Sequence, residues 1–152
     1  MLEKLKQFVS DLTGDRSEPS KFDENDHRLA AAALLVHAIA IDGFVEEHEK
    51  AAVNDVLKRQ FSLSEEETRE LVEEAIIKDL EAVDLYGFTS VIKRSFDQEG
   101  RQAMVEMLWE IVYADGNVHE FEDNLVWRVA ELLGVSTRDR MRLKAKVRKT
   151  LQ

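Results

Sequence analysis

The sequence predicts an all-α protein, a helical bundle of about seven to eight helices. Nearly every segment of the 152 residues repeats apolar residues at intervals of three and four, as an amphipathic helix does. No segment keeps the two-residue alternation, bounded by hairpin turns, that indicates a half-buried strand. Because 44% of the residues are apolar and the length suits one core, we expect residues 1–152 to form a single domain.

The N-terminal region, residues 1–23, predicts one short helix and a linker. Apolar residues from Leu2 to Leu12 fall at helical spacing. The polar stretch 13–23 follows, and it contains a glycine and the single proline of the chain, both of which break helices. We therefore place the core of the domain after this region, at about residues 26–135.

The next two predicted helices flank a glycine. Residues 26–41 are rich in alanine, which is often fully buried, and we expect this second helix to be the central one. Gly43 then interrupts the pattern. A third helix is predicted for about residues 46–60.

Local signals also place the following helices. Ser64 and Glu67 have the spacing of a capping box, which predicts the start of a fourth helix that reaches about Lys78. Apolar periodicity predicts a fifth helix over residues 84–96 and a sixth over residues 97–114.

The last two predicted helices are separated by Gly134. A seventh helix follows Gly116 and ends at Leu133, because Gly134 takes the usual position of glycine just past a helix end. Ser136 and Asp139 then have capping spacing and open the eighth helix, residues 136–152.

Charge is unevenly distributed along the chain. The 31 acidic and 21 basic residues give a net charge of −10, which argues against binding of nucleic acid or anionic lipid by the whole surface. Residues 136–152 hold seven basic residues and one acid, a net charge of +6, so the first 135 residues carry −16. In a helix, one face of this segment would present four basic side chains to a partner. They are Arg138, Arg142, Lys146 and Lys149.

The basic face has a structural explanation as well. No aromatic residue interleaves its basic side chains to form a stacking platform. We therefore expect the face to be solvated or to contact the acidic body, and we do not expect nucleic acid as a partner. Membrane contact is expected to be peripheral at most.

The composition also indicates the cellular compartment of the protein. The chain has no cysteine, which excludes disulfides, thiolate metal sites and thiol catalysis and fits a reducing compartment. No apolar run reaches the roughly 18 residues of a membrane span. The N-terminus lacks the uninterrupted apolar core of a signal peptide. We predict a cytoplasmic protein.

The chain contains an internal duplication. Residues 40–49 align without gaps on residues 113–122, a displacement of 73 residues. Apolar positions of the flanking helices also match, so the repeated unit is a helix-loop-helix. The two copies are expected to pack around a pseudo-two-fold axis, which would bring the loops close together. The identical pairs are Asp42 and Asp115, Gly43 and Gly116, Val45 and Val118, Glu47 and Glu120, and Glu49 and Glu122.

Each loop has the second half of the calcium-binding loop of an EF-hand. The glycine allows a sharp turn, the valine anchors the loop, and the last glutamate reaches back with two oxygens. The first half is missing, because the positions of the first and third ligands hold Ala38 and Ala40 in one copy and Ile111 and Tyr113 in the other. These side chains do not coordinate calcium, so an ordinary EF-hand is excluded.

The repeated pattern resembles the TerB family, the helical proteins associated with tellurite resistance, whose motif is Ala-x-Ala-Asp-Gly followed by a glutamate. Here it appears as Ala38-Ile-Ala-Ile-Asp42-Gly43 with Glu49, and as Val112-Tyr-Ala-Asp115-Gly116 with Glu122. Ile41 stands where the family has alanine, a departure that changes packing and not ligation. The resemblance covers residues 26–135. It implies an all-helical fold, a divalent-cation site at Asp42, Glu49, Asp115 and Glu122, and a role as adapter or sensor in stress and defence systems.

The charges of the loops independently predict a cation. Asp42 and Asp115 each follow a helix, where the helix dipole disfavours a carboxylate by about 0.3–1 kcal/mol. If the four carboxylates converge to about 6 Å, each pair repels by roughly 3 kcal/mol at an effective dielectric constant of about 20. Neither loop contains lysine or arginine, so a divalent cation is the simplest counter-charge. Gly43 and Gly116 would form the turns, and accessory ligands would come from Glu46, His48, His119 and Glu120.

The kind of ion depends on the histidines, and a metal-free interpretation stays open. Oxygen ligands favour calcium, magnesium or manganese, and a coordinating histidine would shift the preference towards zinc. Without a metal, an aspartate before glycine bonds its own downstream amides. Glutamates in the first turn of a helix are likewise stabilised by the dipole alone.

Known catalytic patterns do not fit the chain. The pairs His48-Glu49 and His119-Glu120 lack the second histidine of a zinc protease motif. A di-iron bundle needs two Glu-x-x-His pairs, and residues 24–27 supply one. We therefore predict a non-enzymatic module that binds a divalent cation and an unidentified protein partner. The alternative is a metal-free module for protein interaction or self-association, which uses the acidic body and the basic last helix. Self-association would make the protein a homo-oligomer.

Overall fold

The computed structural model describes residues 22–23, 25–41, 45–114, 118 and 120–150. Within these residues the chain forms seven α-helices and no strand, which confirms the predicted all-α fold. The predicted helix over residues 2–12 lies outside the described residues. The seven helices are α1 (His27–Ala40), α2 (Glu47–Phe61), α3 (Glu65–Glu81), α4 (Tyr86–Ser95), α5 (Gln98–Val112), α6 (Glu120–Leu133) and α7 (Thr137–Thr150).

Two helix boundaries differ from the prediction for local reasons. Helix α3 continues to Glu81, three residues beyond Lys78, and ends where Ala82 adopts extended backbone. A basic side chain is favourable in the last turn but does not stop a helix. Helix α4 starts at Tyr86 because the carboxylate of Asp84 accepts the Tyr86 N–H at 2.9 Å. Asp84 precedes the helix and does not belong to it.

Helix α1 is the central helix of the described fold, as its alanine-rich sequence predicts. Its buried residues include every position from Leu29 to Val36. It packs against α2, α3, α4 and α5. Small side chains allow this crowding, since alanine adds little volume between neighbouring backbones.

The internal repeat comprises three helices in each copy. Helix α3 packs along α1, and α7 packs along α5 in the same way, while α4 connects the two units. His37 lies 2.9 Å from Asp79, and Lys146 lies 2.7 Å from Glu106. The predicted helix-loop-helix is therefore part of a larger duplicated unit, α1–α2–α3 and α5–α6–α7.

The second and third helices of each unit are joined by the same backbone motif. Ser62 and Gly134 both have positive φ, 52° and 75°, which ends α2 and α6 in the left-handed conformation. Ser64 and Ser136 then accept main-chain N–H groups at 3.1 Å and cap the next helix. Corresponding residues of the two units are 72 positions apart here, whereas corresponding residues of the two loops are 73 positions apart. The difference arises because α6 is one residue shorter than α2.

Among the described residues, no helix combines the length and the hydropathy that crossing a membrane requires.

Candidate functional site

The structure describes part of the predicted cation site. Asp42, Gly43, Asp115, Gly116 and His119 lie outside the described residues. The convergence of the four predicted carboxylates therefore stays a prediction. The described members of the predicted set are Glu46, His48, Glu49, Glu120 and Glu122.

The start of α2 brings three potential ligands together. Glu46 is the N-cap residue, and its backbone N–H donates to Oε1 of Glu49 at 3.2 Å in a capping box. Nδ1 of His48 lies 3.1 Å from Oε2 of Glu46. One ligand atom from each of the three side chains lies within 4.8 Å of the other two. We call these three residues the α2 cluster.

The α2 cluster owes its geometry to local helix structure. An N-cap residue and the third helical residue are neighbours across the first turn, so Glu46 and Glu49 meet without any tertiary contact. All three side chains are exposed or half-buried, and within the described residues no other group of three such side chains is so compact. A cation arriving from solvent would therefore reach carboxylate and imidazole atoms directly.

The electrostatics of the α2 cluster are favourable to its carboxylates even without an ion. The positive end of the helix dipole stabilises acids in the first turn by about 0.3–1 kcal/mol each. Within this turn the imidazole of His48 contacts Glu46. Lys50 of the same turn forms no ion pair with the described residues, and the turn keeps a net negative charge because its three glutamates outnumber this lysine.

The start of α6 differs from the start of α2. Glu120 is exposed, whereas Glu122 is buried, with 9% of its surface accessible. The ammonium group of Lys144 lies 2.9 Å from Oδ1 of Asp123 in the same first turn. The sequence argument that neither loop contains a basic residue is correct, but it missed Lys144, which reaches the second unit from α7. Within the described residues, the first turn of α6 therefore has an ion pair with a lysine, and the first turn of α2 has none.

The predicted basic face of α7 is partly occupied by contacts within the chain. Arg142 lies 3.4 Å from Asp139 and donates to the Gln102 side chain at 2.9 Å, and Lys146 pairs with Glu106 at 2.7 Å. Arg138 and Lys149 are exposed and form no ion pair with the described residues. Contact with an acid of the body, one of the two predicted explanations of this face, therefore applies to Lys146, whereas Arg142 contacts the neutral Gln102 of the body and Asp139 of its own helix.

Sequence reasoning also missed a tertiary contact close to the first loop. His37, in the last turn of α1, shares a 2.9 Å hydrogen bond with Asp79 near the end of α3. The ring of His37 is thus hydrogen-bonded but half-exposed. The two residues are 42 positions apart, and no local pattern links them.

The fold and these paired helix starts define a class, that of all-helical proteins built from a duplicated three-helix unit with acidic first turns. The family model described as tellurite resistance protein TerB matches residues 28–145. The chain belongs to the TerB family, which confirms the resemblance seen in the repeated motif. The match extends from α1 into α7, ten residues beyond the stretch 26–135 on which the motif was recognised.

One solved structure shows the same fold. A crystal structure of a protein of unknown function from Porphyromonas gingivalis W83 superposes with a TM-score of 0.60. The two chains are 17% identical over 82% of this chain and 97% of that chain, so the likeness concerns the fold alone. No curated protein matches the chain.

Proposed function

We propose that this TerB family protein binds a divalent cation at the start of α2. The observation that carries the proposal is the α2 cluster, in which Glu46, His48 and Glu49 each offer a ligand atom within 4.8 Å of the others. Asp42, which the motif places just before α2, would supply a further carboxylate. Three carboxylates and one imidazole would give a mixed oxygen and nitrogen ligand set.

The ligand set favours some ions over others. Calcium and magnesium take oxygen ligands almost exclusively, whereas imidazole suits zinc and related transition metals. Carboxylates also suit manganese. If His48 coordinates, we expect zinc or manganese to bind more tightly than calcium or magnesium. If only the carboxylates coordinate, we expect calcium, magnesium or manganese in preference to zinc.

We propose the first unit as the stronger site. In the first unit three ligand atoms already lie within 4.8 Å of one another, whereas the described Glu120 and Glu122 of the second unit belong to no such group. Asp115 and Glu122, with His119 and Glu120, would then form a weaker site or contribute to a joint one. A joint site with Asp42 and Glu49 is what the family resemblance implies.

The wider role we propose is that of a non-enzymatic adapter or sensor in the cytoplasm. The family is named for tellurite resistance, and a stress response of that type is the proposed context. A sensor of this kind would pass the bound state of the cation to an unidentified protein partner. The acidic body makes nucleic acid an unfavourable partner.

A metal-free interaction module is the second candidate. It is favoured by the contacts inside the α2 cluster, since Glu49 accepts the Glu46 N–H and Glu46 contacts His48. In this case the acidic body and the basic last helix would bind a partner or a second copy. The acidic residues of the first turn would then serve to cap α2.

Calorimetric titration of the chelator-treated full chain tests the cation site. We expect one of zinc, manganese, calcium or magnesium to bind and to raise Tm, since ligand at about 100 times Kd stabilises by about 2.7 kcal/mol. Glu49→Gln should weaken binding at least tenfold. Glu47→Gln, which removes an exposed carboxylate from the same turn but outside the cluster, is the matched control and should bind as the wild type does.

Other outcomes separate the alternatives. Absence of heat and of a Tm shift with all four ions at millimolar concentration would reject the cation site in favour of the metal-free module. His48→Ala distinguishes the ligand sets, because it should weaken zinc binding and leave calcium binding unchanged. If Glu122→Gln weakens binding as strongly as Glu49→Gln does, the site is a joint one.

A further inference from the structure

The outer helices of the two units, α3 and α7, occupy equivalent positions and expose opposite charges. Each follows a serine cap and packs along the first helix of its unit. At a displacement of 72 residues, Glu66 corresponds to Arg138 and Glu70 to Arg142, and all four side chains are exposed. Duplication has therefore produced one acidic and one basic outward face on the same scaffold.

The outward face of α3 is acidic in its first half and apolar in its second half. The exposed side chains of the helix are five glutamates, one arginine, Ile77 and Leu80. Ile77 and Leu80 continue the four- and three-residue spacing of Glu66, Glu70 and Glu73, so they lie on one stripe. Leu80 is 81% exposed, and Val83 just beyond the helix is fully exposed.

The outward face of α7 is the counterpart. Its exposed side chains are five arginines and lysines, two threonines, Met141 and Ala145, with no acid among them. Arg138, Met141, Ala145 and Arg148 follow one stripe at spacings of three, four and three. Met141 is 46% exposed, and Arg138 and Arg148 form no ion pair with the described residues.

The two faces match in chemistry and in spacing. Stripes at alternating three- and four-residue intervals are the surfaces through which helices pack against each other. Ile77 and Leu80 can face Met141 and Ala145. Glu73, which pairs with Arg69 of its own helix, then faces Arg138 in parallel packing or Arg148 in antiparallel packing. This match holds for parallel and for antiparallel packing, because the α7 stripe is basic at both ends and apolar in the middle.

We propose that the chain associates with a second copy of itself, the α3 face of one molecule against the α7 face of the next. At about 0.15 M salt the Debye length is about 8 Å. Attraction between charges that face each other across the interface therefore outweighs the repulsion between the net charges of the two molecules. The contact joins two different faces and leaves one of each free, so further copies add until the assembly closes into a ring or continues as an open chain. It does not depend on the cation site at the start of α2.

Sedimentation velocity of the full chain tests the proposal. We expect the mean mass of the wild type to rise with concentration between about 20 and 500 µM at about 0.15 M salt, and to fall at about 0.5 M salt, where screening is stronger. Leu80→Glu and Met141→Glu should each weaken association at least tenfold. Trp127→Glu, at a side chain of α6 that is 48% exposed and outside both faces, is the control and should associate as the wild type does.

Mixing the two variants gives the decisive result. Leu80→Glu keeps its α7 face and Met141→Glu keeps its α3 face, so the mixture should form a complex of two chains that grows no further. A monomeric mixture, or a wild type that stays monomeric at every concentration, overturns the proposal. So does self-association of Met141→Glu at wild-type strength, which would mean that the α3 faces pair with each other.

The fold of each variant is checked by far-UV circular dichroism and thermal melting. If either apolar substitution unfolds the chain, Glu73→Gln and the double variant Arg138→Gln, Arg148→Gln, all at exposed positions, replace them, and each alone should associate more weakly than the wild type. Association of these charge variants at wild-type strength would overturn the proposal.

Discussion

The indole N–H of Trp109 donates a hydrogen bond to the main-chain carbonyl oxygen of Arg140, 3.1 Å away. Trp109 lies in α5 and is fully buried, and Arg140 lies in the first turn of α7. The ammonium group of Lys144 lies 5.1 Å from the centre of the same ring, within the range of a cation–π interaction. The indole of Trp109 therefore holds α7 by a hydrogen bond at the edge of the ring and by a cation–π contact at its face.

Trp109→Phe should lower the free energy of unfolding by about 2 kcal/mol, since it removes this hydrogen bond and leaves unfilled volume in the core. Trp127→Phe, at a half-exposed tryptophan on α6, is the matched control and should change stability by less than about 0.5 kcal/mol. Urea unfolding followed by circular dichroism measures both. Equal effects at the two positions would contradict the role assigned to the buried indole.

Substitution by alanine should lower the stability of the chain at Gly134 and raise it at Gly87. A Cβ atom would meet nothing within 4 Å at either position, but only Gly134 has positive φ, 75°. Gly134→Ala should destabilise the chain by about 1 kcal/mol, because the left-handed conformation disfavours a side chain. Gly87→Ala, at the second residue of α4, should stabilise it by up to about 0.5 kcal/mol, less than the change in a helix interior. A loss of stability in both variants would mean that crowding, and not φ, decides the effect.

Substitution of Ser62 tests the left-handed helix end in the first unit. It ends α2 with φ of 52°, where the second unit has glycine. Ser62→Gly should raise the free energy of unfolding by about 0.5–1 kcal/mol, because glycine adopts this conformation without steric strain. Thermal melting of Ser62→Gly beside Ser62→Ala gives the comparison. If alanine stabilises as much as glycine, backbone strain at this residue is not the cause.

The sequence predicted the features that short-range interactions determine. The caps at Ser64 and Ser136 and the helix end at Gly134 each involve partners within a few residues, so a local pattern is sufficient to locate them. Apolar periodicity likewise identified the central helix, because burial on all sides of α1 requires apolar or small residues throughout. The family motif could be recognised for the same reason, since it is contiguous.

Tertiary partners could not be predicted in this way. Lys144 and Asp123 are 21 positions apart, and no periodic pattern connects a lysine on one helix with an aspartate on another. The third helix of the repeat was missed for a different reason. Its outward residues have opposite charges in the two copies, and the buried Leu71 matches Leu143 only when the displacement changes from 73 to 72 residues.

Lys144→Gln should lower the free energy of unfolding by about 1 kcal/mol. The substitution removes the half-exposed ion pair with Asp123, for which about 0.2–1 kcal/mol is usual, and the contact with the Trp109 ring. Part of the loss should disappear at about 1 M salt, which screens the pair but not the packing of the side chain. Lys149→Gln, at an exposed residue of the same helix, is the control. Equal losses for the two variants would exclude a specific role of Lys144.

Asp26 should contribute a pH-dependent part of the stability. Burial alone would raise the pKa of Asp26, but hydrogen bonds from the Arg28 side chain and backbone, with the attraction of its charge, outweigh burial and hold the pKa below its ordinary value of 3.8. Well above pH 3.8 the carboxylate is charged in both states and its full stabilisation is present. As the pH falls, the unfolded state binds the proton first, and the stabilisation is lost as the pH passes through the folded-state pKa.

Asp26→Asn keeps a good N-cap residue and removes the ion pair, so it should lower the free energy of unfolding by about 0.5–1 kcal/mol at pH 7. Urea unfolding of wild type and variant between pH 7 and about pH 3 should show this difference unchanged down to about pH 5 and shrinking below it. Asp97→Asn, at the N-cap of α5, where the carboxylate accepts the Gly100 N–H at 2.9 Å, serves as the control for loss of a charged cap. If the difference in the free energy of unfolding between wild type and variant stays constant down to the lowest pH, Arg28 does not lower the pKa of Asp26. The stability that the carboxylate contributes would then not depend on its protonation.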